Sequence, residues 1–441
     1  MAKDTDISLR NMTIYEVYVR NHSEKGDFNS VTNDLERIKS LSMDIVWLMP
    51  IHPVGKVNRK GSLGSPYSIY DYMQINEDYG TLNDFTNLLN RAHQLNLKVM
   101  IDVVYNHTSH DSIYLTENPD FYYRKSDGSL GNKVADWSDI IDLDYANRKL
   151  WDKQIEALKY WASLGVDGFR CDVASMVPIE FWLEAREKLK EINPDIIMLA
   201  ETIEGSFLEY VRNQGIYAAS DCEMYQAFDI CYDYDTHGEF LKYLNGEATL
   251  EDYLEKKRIQ EYIYPENYVK LRYLENHDRP RIASMLPEDL LLQWSAFLFF
   301  EKGSTLIYAG QEAKDKKLPS LFDKDPVDWS GLKSDFHLKL KKFAELKKLP
   351  IFANGRYKLH NIDKKGVILG TYVLNGEWLF GVFNVEGKTG KLKLESHSEG
   401  YFDIPKIDDG EYENLYDGSK IIIENQSVEL AHKPILFKVD I

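Results

Sequence analysis

The chain has 441 residues, 44% hydrophobic and 28% charged, and a formal net charge of −18. That is too long for one ordinary core and long enough for a barrel of about 250 residues with a further domain. An excess of acid argues against a nucleic-acid partner, which calls for a basic patch, and suits a neutral substrate no better than it suits any cytosolic chain.

The N-terminal MAKDTDISLR has no apolar core of a signal peptide, and no run of 18 apolar residues follows anywhere, so no membrane association is expected. Thr13 to Val19 reads as a strand, and Phe28, Val31, Leu35, Ile38 and Leu41 follow at helical spacing. Ile45 to Met49 is a second strand, stopped by Pro50. Thr81 and Asp84 form a capping-box pattern ahead of Phe85, Leu88, Leu89 and Ala92 on one helix face. Val99 to Val104 is the third strand. The polar, aromatic stretch from Asn106 to about Asp142 then breaks the rhythm and reads as an insertion.

Trp151, Ile155, Leu158 and Ala162 mark the next helix. Val166–Cys171, Ile196–Ala200, Ala227–Tyr232, Val269–Leu274 and Thr305–Tyr308 complete eight strands, with a helix over Leu290–Phe300 between the last two. Past Pro350 the segments become short and alternating: Val367–Val373, Glu377–Phe383, Gly390–Leu394, Ile421–Glu424 and Ile435–Val439. The expected class is therefore α/β: a (β/α)8 TIM barrel over 1–105 and 146–350, a small inserted domain at 106–145, and a C-terminal β-sandwich domain at 351–441.

In such a barrel, chemistry collects at the C-terminal ends of the strands. The charged residues ending these strands are Asp102, Asp172, Glu201 and, a few residues on, Asp278. Glycosidic cleavage needs one carboxylic acid to protonate the leaving oxygen and a second carboxylate to attack or to activate water. In GFRCD, Arg170 and Asp172 are two apart on a strand and face the same side, so the guanidinium would hold Asp172 ionised. A buried ion pair without chemistry fits the same residues. Glu201, ending an apolar strand, suits a general acid, though a helix cap or a solvent-facing glutamate reads the same way. His107 and His277 suit sugar hydroxyls and equally suit structural hydrogen bonds. Cys171 alternates away from Asp172 and reads as packing. Cys171, Cys222 and Cys231 have no metal-ligand spacing, and a cytoplasmic location is expected.

As an ordered set, DVVYNH (Asp102–His107), GFRCD (Gly168–Asp172), Glu201 in LAET and Asn276-His277-Asp278 resemble the four motifs of glycoside hydrolase family 13, the α-amylase family. Asp142-Leu143-Asp144, GSTLIYAGQE and Tyr67 in GSPYSIYDY add to the likeness, which covers about residues 12 to 350. The resemblance implies a retaining α-glucan hydrolase acting on α-1,4 bonds of maltooligosaccharides or starch-type glucans. Asp172 would be the nucleophile, Glu201 the general acid/base and Asp278 the third carboxylate. Arg170, His107 and His277 would contact the sugar or hold the carboxylates, Tyr67 would stack on the sugar ring, and Asp102 would brace the site. A 4-α-glucanotransferase-like transglycosylase on the same scaffold is the alternative, and a non-catalytic sugar-binding relative is a remote one, since all three carboxylates are present.

The sequence departs from the family after the nucleophile. Many α-amylases carry Lys-His there, the lysine for the acceptor-side sugar and the histidine backbone for a structural calcium; this chain has Ser175 and Met176. Asn106 stands where calcium is often held, but no metal and no required cofactor are expected. The short insertion implies an open cleft, and Asp323 and Asp325 are candidates to line it. Oligomeric state is not legible.

Overall fold

A computed structural model describes residues 4–134, 137–396 and 404–440. The sequence expectations therefore extend beyond the described residues at 1–3, 135–136, 397–403 and 441. Eight parallel strands close into a barrel: β1 Thr13–Val17, β2 Ile45–Leu48, β3 Lys98–Val104, β4 Gly168–Asp172, β5 Ile197–Ala200, β6 Ile230–Tyr232, β7 Val269–Arg272 and β8 Ser304–Tyr308. Each pairs with its sequence neighbours, and β8 closes onto β1 through Thr305 opposite Thr13.

Side chains alternate between two cores, as the pleat requires. Ile14, Ile45, Trp47, Met100, Leu199, Ile230, Tyr232, Leu271 and Leu306 fill the barrel. Their neighbours Tyr15, Val17, Val46, Leu48, Val99 and Ile101 face the surrounding helices. The capping box of Thr81 and Asp84 is formed and starts the helix Leu82–Gln94. Several expected strands are shorter than read: β1 ends at Val17, with Val19 opening a short helix to His22, β4 begins at Gly168, β6 begins at Ile230, and β7 ends at Arg272.

Between β3 and the helix Arg148–Ser163 lies the insertion. It carries a two-stranded ribbon, His107–Thr108 against Ile141–Asp142, and a short helix Ile113–Glu117. This ribbon turns His107 back over the strand ends.

The C-terminal part forms two antiparallel four-stranded sheets. One orders Arg356–Leu359, Ile368–Leu374, Glu377–Phe383 and Ile435–Asp440; the other Lys391–Lys393, Ser427–Glu429, Lys420–Glu424 and Gly410–Glu413. Val367, Leu369, Phe380, Val382, Ile423 and Phe437 pack in a separate core. The first sheet sits against the helix Glu288–Phe300. Gly370 and Gly381 lie directly opposite in register, and a Cβ on either would come within 2.7 Å of the Phe300 ring. The glycine pair makes the flat place on which Phe300 rests, and Tyr372 donates to the Phe300 carbonyl at 2.9 Å.

Candidate active site

The strand ends deliver five carboxyl groups and two cations to one place. Arg170 is the hub, fully buried on the inner face of β4. Its Nη1 donates to both Asp102 oxygens at 2.9 and 3.0 Å and to Asp172 Oδ1 at 2.9 Å. Nη2 lies 3.0 Å from Glu201 Oε1. Aromatic rings close round the guanidinium: Trp47, Tyr67 and Tyr232 have centroids 5.2, 5.7 and 5.4 Å from its carbon. Cation–π attraction replaces part of the hydration the cation has lost.

The strand register fixes the spacing of Asp172 and Glu201. Cys171 pairs with Ala200, and the Glu201 amide donates to the Cys171 carbonyl at 3.0 Å, so the two carboxyl residues stand next in line on adjacent strands. Strand spacing is about 4.8 Å. After Asp172 the chain turns sharply: Val173 sits at φ 43°, ψ 37°. A β-branched residue in the left-handed region is strained by about 1–3 kcal/mol. The turn aims the Val173 amide at Glu201 Oε2, 2.8 Å away. The Tyr234 hydroxyl donates to Glu201 Oε1 at 3.3 Å.

A second relay orders the other wall. Glu16 Oε1 lies 2.5 Å from His277 Nδ1, and His277 Nε2 lies 3.0 Å from Asp278 Oδ2 and 2.8 Å from the Tyr67 hydroxyl, which itself donates to Asp102 at 3.0 Å. The Tyr67 and His277 rings stack at 5.4 Å. Burial opposes charge on His277, but Asp278 and Glu16 outweigh it and raise its pKa well above the ordinary value. Burial likewise opposes ionisation of Asp278, yet the imidazolium and Arg170 bring it to about 2. Burial lowers the pKa of His107; its Nε2 is 4.0 Å from Asp172 Oδ2.

Burial, then the neighbouring Glu201, pushes the Asp172 carboxyl up, against the pull of Arg170. Burial carries Asp102 to about 7, opposed by Arg170 and His277. Glu16, Asp102, Asp172, Glu201 and Asp278 face Arg170 and His277, an excess of carboxyl groups over cations. The same excess favours a cationic transition state. Replacing Arg170 with Met leaves buried Asp102 and Asp172 without their cation. Thermal unfolding should then show a loss of about 3–5 kcal/mol; an unchanged melting temperature would remove Arg170 from this role.

The structure thus brings Tyr67, His107, Arg170, Asp172, Glu201, His277 and Asp278 together. Asp323 and Asp325 serve as loop ties: Asp323 accepts from Ser62 at 2.8 and 2.6 Å, and Asp325 pairs with Lys317 at 2.5 Å. Cys171 is buried in the outer core, as alternation requires. Sequence reasoning missed Glu16, Trp47, Tyr232, Tyr234 and Trp137, whose ring lies 6.0 Å from His107. Glu16 alone gave a signal, a charge amid the apolar strand TIYEV.

The residues near Asn106 do not fit calcium, which takes six to eight oxygen ligands. The Lys133 ammonium donates to the Leu143 carbonyl at 2.7 Å, beside Asp142 and Asp144, and Asp142 Oδ2 is taken by the Lys133 amide at 2.7 Å. Among the described residues no three His, Cys, Asp or Glu side chains group to hold a metal.

A parallel barrel whose strand ends pair carboxyls around a buried arginine is that of a glycoside hydrolase, and the comparisons agree. The family model for the alpha amylase catalytic domain matches residues 16–137 and 130–339, and that for the bacterial alpha amylase C-terminal domain matches 358–437. The chain belongs to the α-amylase family, glycoside hydrolase family 13. It is 43% identical to an alpha-amylase from Lactobacillus plantarum whose crystal structure superposes with a TM-score of 0.93, covering 98% of this chain and 100% of that one. A noncanonic maltogenic alpha-amylase, AmyB, from Thermotoga neapolitana is 32% identical, with a TM-score of 0.86 over 98% and 100%. Alpha-amylase 3 of Dictyoglomus thermophilum is 27% identical over 73% of this chain and 68% of its own length. Alpha-amylase MalA of Haloarcula japonica is 30% identical over 68% of this chain, which spans 43% of that relative.

Proposed function

We propose that this glycoside hydrolase cleaves α-1,4 bonds of maltooligosaccharides or related glucans with retention of configuration. The observation that carries the reading is the placement of Asp172 and Glu201 side by side on adjacent strands, one on each tine of Arg170. A spacing near that of neighbouring strands suits the double displacement, whose carboxyls stand about 5–5.5 Å apart. Inversion needs about 6.5–9.5 Å to admit a water.

Asp172 Oδ1 is held by Arg170, so Oδ2 attacks the anomeric carbon while Glu201 gives its proton to the leaving oxygen. A covalent glycosyl-Asp172 forms and the glucosidic C–O bond breaks. Glu201, now a carboxylate, takes a proton from the incoming water, which displaces Asp172 and restores the α-anomer. Tyr234 supports Glu201 in both states, because its hydroxyl rotates from donor to acceptor when the carboxyl is protonated. Asp278, kept ionised by His277, takes ring hydroxyls; Tyr67 and His107 frame the sugar.

The reading includes a catalytic barrel over 1–105 and 146–350, an inserted domain at 106–145 and a C-terminal domain at 351–441. It also includes a cytoplasmic setting, in keeping with Cys171, Cys222 and Cys231 unpaired. No helix among the described residues is long and apolar enough to cross a membrane. No step passes through a metal.

Incubation with maltoheptaose, with and without EDTA, tests the reading. Shorter maltooligosaccharides released as α-anomers, equally in both samples, are expected. Products longer than the substrate would give the function to transglycosylation; β-anomers would overturn retention; loss of activity in EDTA would restore a metal.

A further inference from the structure

The end of the barrel opposite the carboxyls holds a cavity of about 860 Å³. It lies where the segments leading into β1, β7 and β8 meet the strand Arg356–Leu359 of the C-terminal part. A cavity of this size takes a small molecule rather than a single ion. Its charged lining is Arg10, Lys302, Arg356 and Lys358 against Glu261 and Glu266, an excess of positive charge in a chain whose net charge is −18.

The carboxylates do not balance these cations. Glu261 is shared: one oxygen takes Lys302 Nζ at 2.8 Å and the other takes the Tyr268 hydroxyl at 2.5 Å. Arg10 is buried, and its guanidinium donates to three neutral carbonyls, those of Tyr268, Ala353 and Glu266, at 3.1, 3.0 and 2.6 Å. Burial draws the pKa of Arg10 down, and that of Lys302 as well, where Arg10 works against Glu261. Two buried neighbours feel the same field. Burial, then Arg272, lowers the pKa of Lys347, with Arg10 adding to the effect. Burial, then Lys358 and Arg258, brings His360 to about 3. Arg356 and Lys358 stand two apart on an edge strand and so share one face of it. Tyr262, 72% exposed, lines the same cavity.

We infer that this cavity is a binding site for a phosphorylated sugar, with Arg356 and Lys358 taking the phosphate in the field of Arg10 and Lys302, and the Tyr262 ring taking a face of the sugar. A dianion in a concave cationic site gains from every charge at once, and guanidinium and ammonium groups are the donors that phosphate oxygens accept from. A neutral glucan would leave the charge excess unanswered. Because the lining comes from both the barrel and the C-terminal part, an occupant ties the two together and raises the melting temperature with the logarithm of its concentration.

Calorimetric titration and melting curves at constant ionic strength, with glucose 6-phosphate, inorganic phosphate and glucose as probes, test this without relying on catalysis. Glucose 6-phosphate should bind once per chain and raise the melting temperature, inorganic phosphate should bind more weakly, and glucose should do neither. In the double variant Arg356→Gln, Lys358→Gln, affinity for glucose 6-phosphate should fall about 10- to 100-fold, the effect of losing a charged hydrogen bond. Without ligand the double variant should melt as sharply as the unmodified protein, which shows that it is folded. Tyr262→Ala should weaken glucose 6-phosphate and leave inorganic phosphate unchanged. No binding of glucose 6-phosphate, or an affinity that the double variant leaves intact, would overturn the inference. Equal affinity for glucose and glucose 6-phosphate would overturn it as well, since the cavity would then read the sugar and not the charge.

Discussion

Asp172→Asn should lower turnover of maltoheptaose by about 10⁴-fold or more while leaving sugar binding in place. Asparagine still accepts from Arg170 Nη1 through its amide oxygen, now 2.9 Å away in the carboxylate form, so the hub keeps its geometry. What is lost is the anionic oxygen that forms the bond to the anomeric carbon, and no neighbour can take its place. Asp102 is fully buried and committed to Arg170 and Tyr67, and Asp278 is paired to His277. Removing a nucleophile from a cooperating set costs most of the rate in one step. Turnover rates together with calorimetric titration of maltoheptaose give both quantities. Near-normal turnover would contradict the assignment, and loss of binding would show that the side chain serves affinity.

Glu201→Gln should fall about 10²- to 10⁴-fold on maltoheptaose, the range general acid catalysis supplies. The loss should be much smaller for cleavage of α-maltosyl fluoride, because fluoride leaves without a proton. The glutamine variant also lacks the base for the second step, so its intermediate should accumulate. Azide, which needs no base, should then restore turnover and yield an α-glycosyl azide. A β-glycosyl azide would exchange the roles of Glu201 and Asp172. Equal losses on glucan and fluoride, with no azide effect, would mean that Glu201 is not the acid.

The carboxylates were legible because the barrel grammar forces them into view. Asp172 closes its strand, Glu201 directly follows the apolar strand Ile197–Ala200, and Asp102 interrupts the apolar run before Val103 and Val104, so each charge stands out. The relay behind them was less visible. Glu16 meets His277 only because the barrel closes β8 and β7 beside β1, a contact across 261 residues that no local pattern encodes. Tyr234 follows a strand of three residues, too short to announce its end. The strained Val173 turn carries no signal either, since its residue type argues against the left-handed conformation it adopts. In the C-terminal sheets, Gly410–Glu413 was unread because its residues are mostly exposed and lack apolar alternation. Its strand character comes from pairing with Lys420–Glu424.

The account turns on a glycosyl group carried by Asp172. Treating the enzyme with 5-fluoro-α-glucosyl fluoride, whose fluorine slows the second step, and mapping the adduct by mass spectrometry tests this most directly. One glycosyl unit on the peptide containing Asp172, absent from Asp172→Asn, is the predicted result. An unlabelled protein that still hydrolyses the reagent, or a label on Glu201 or Asp278, would contradict it.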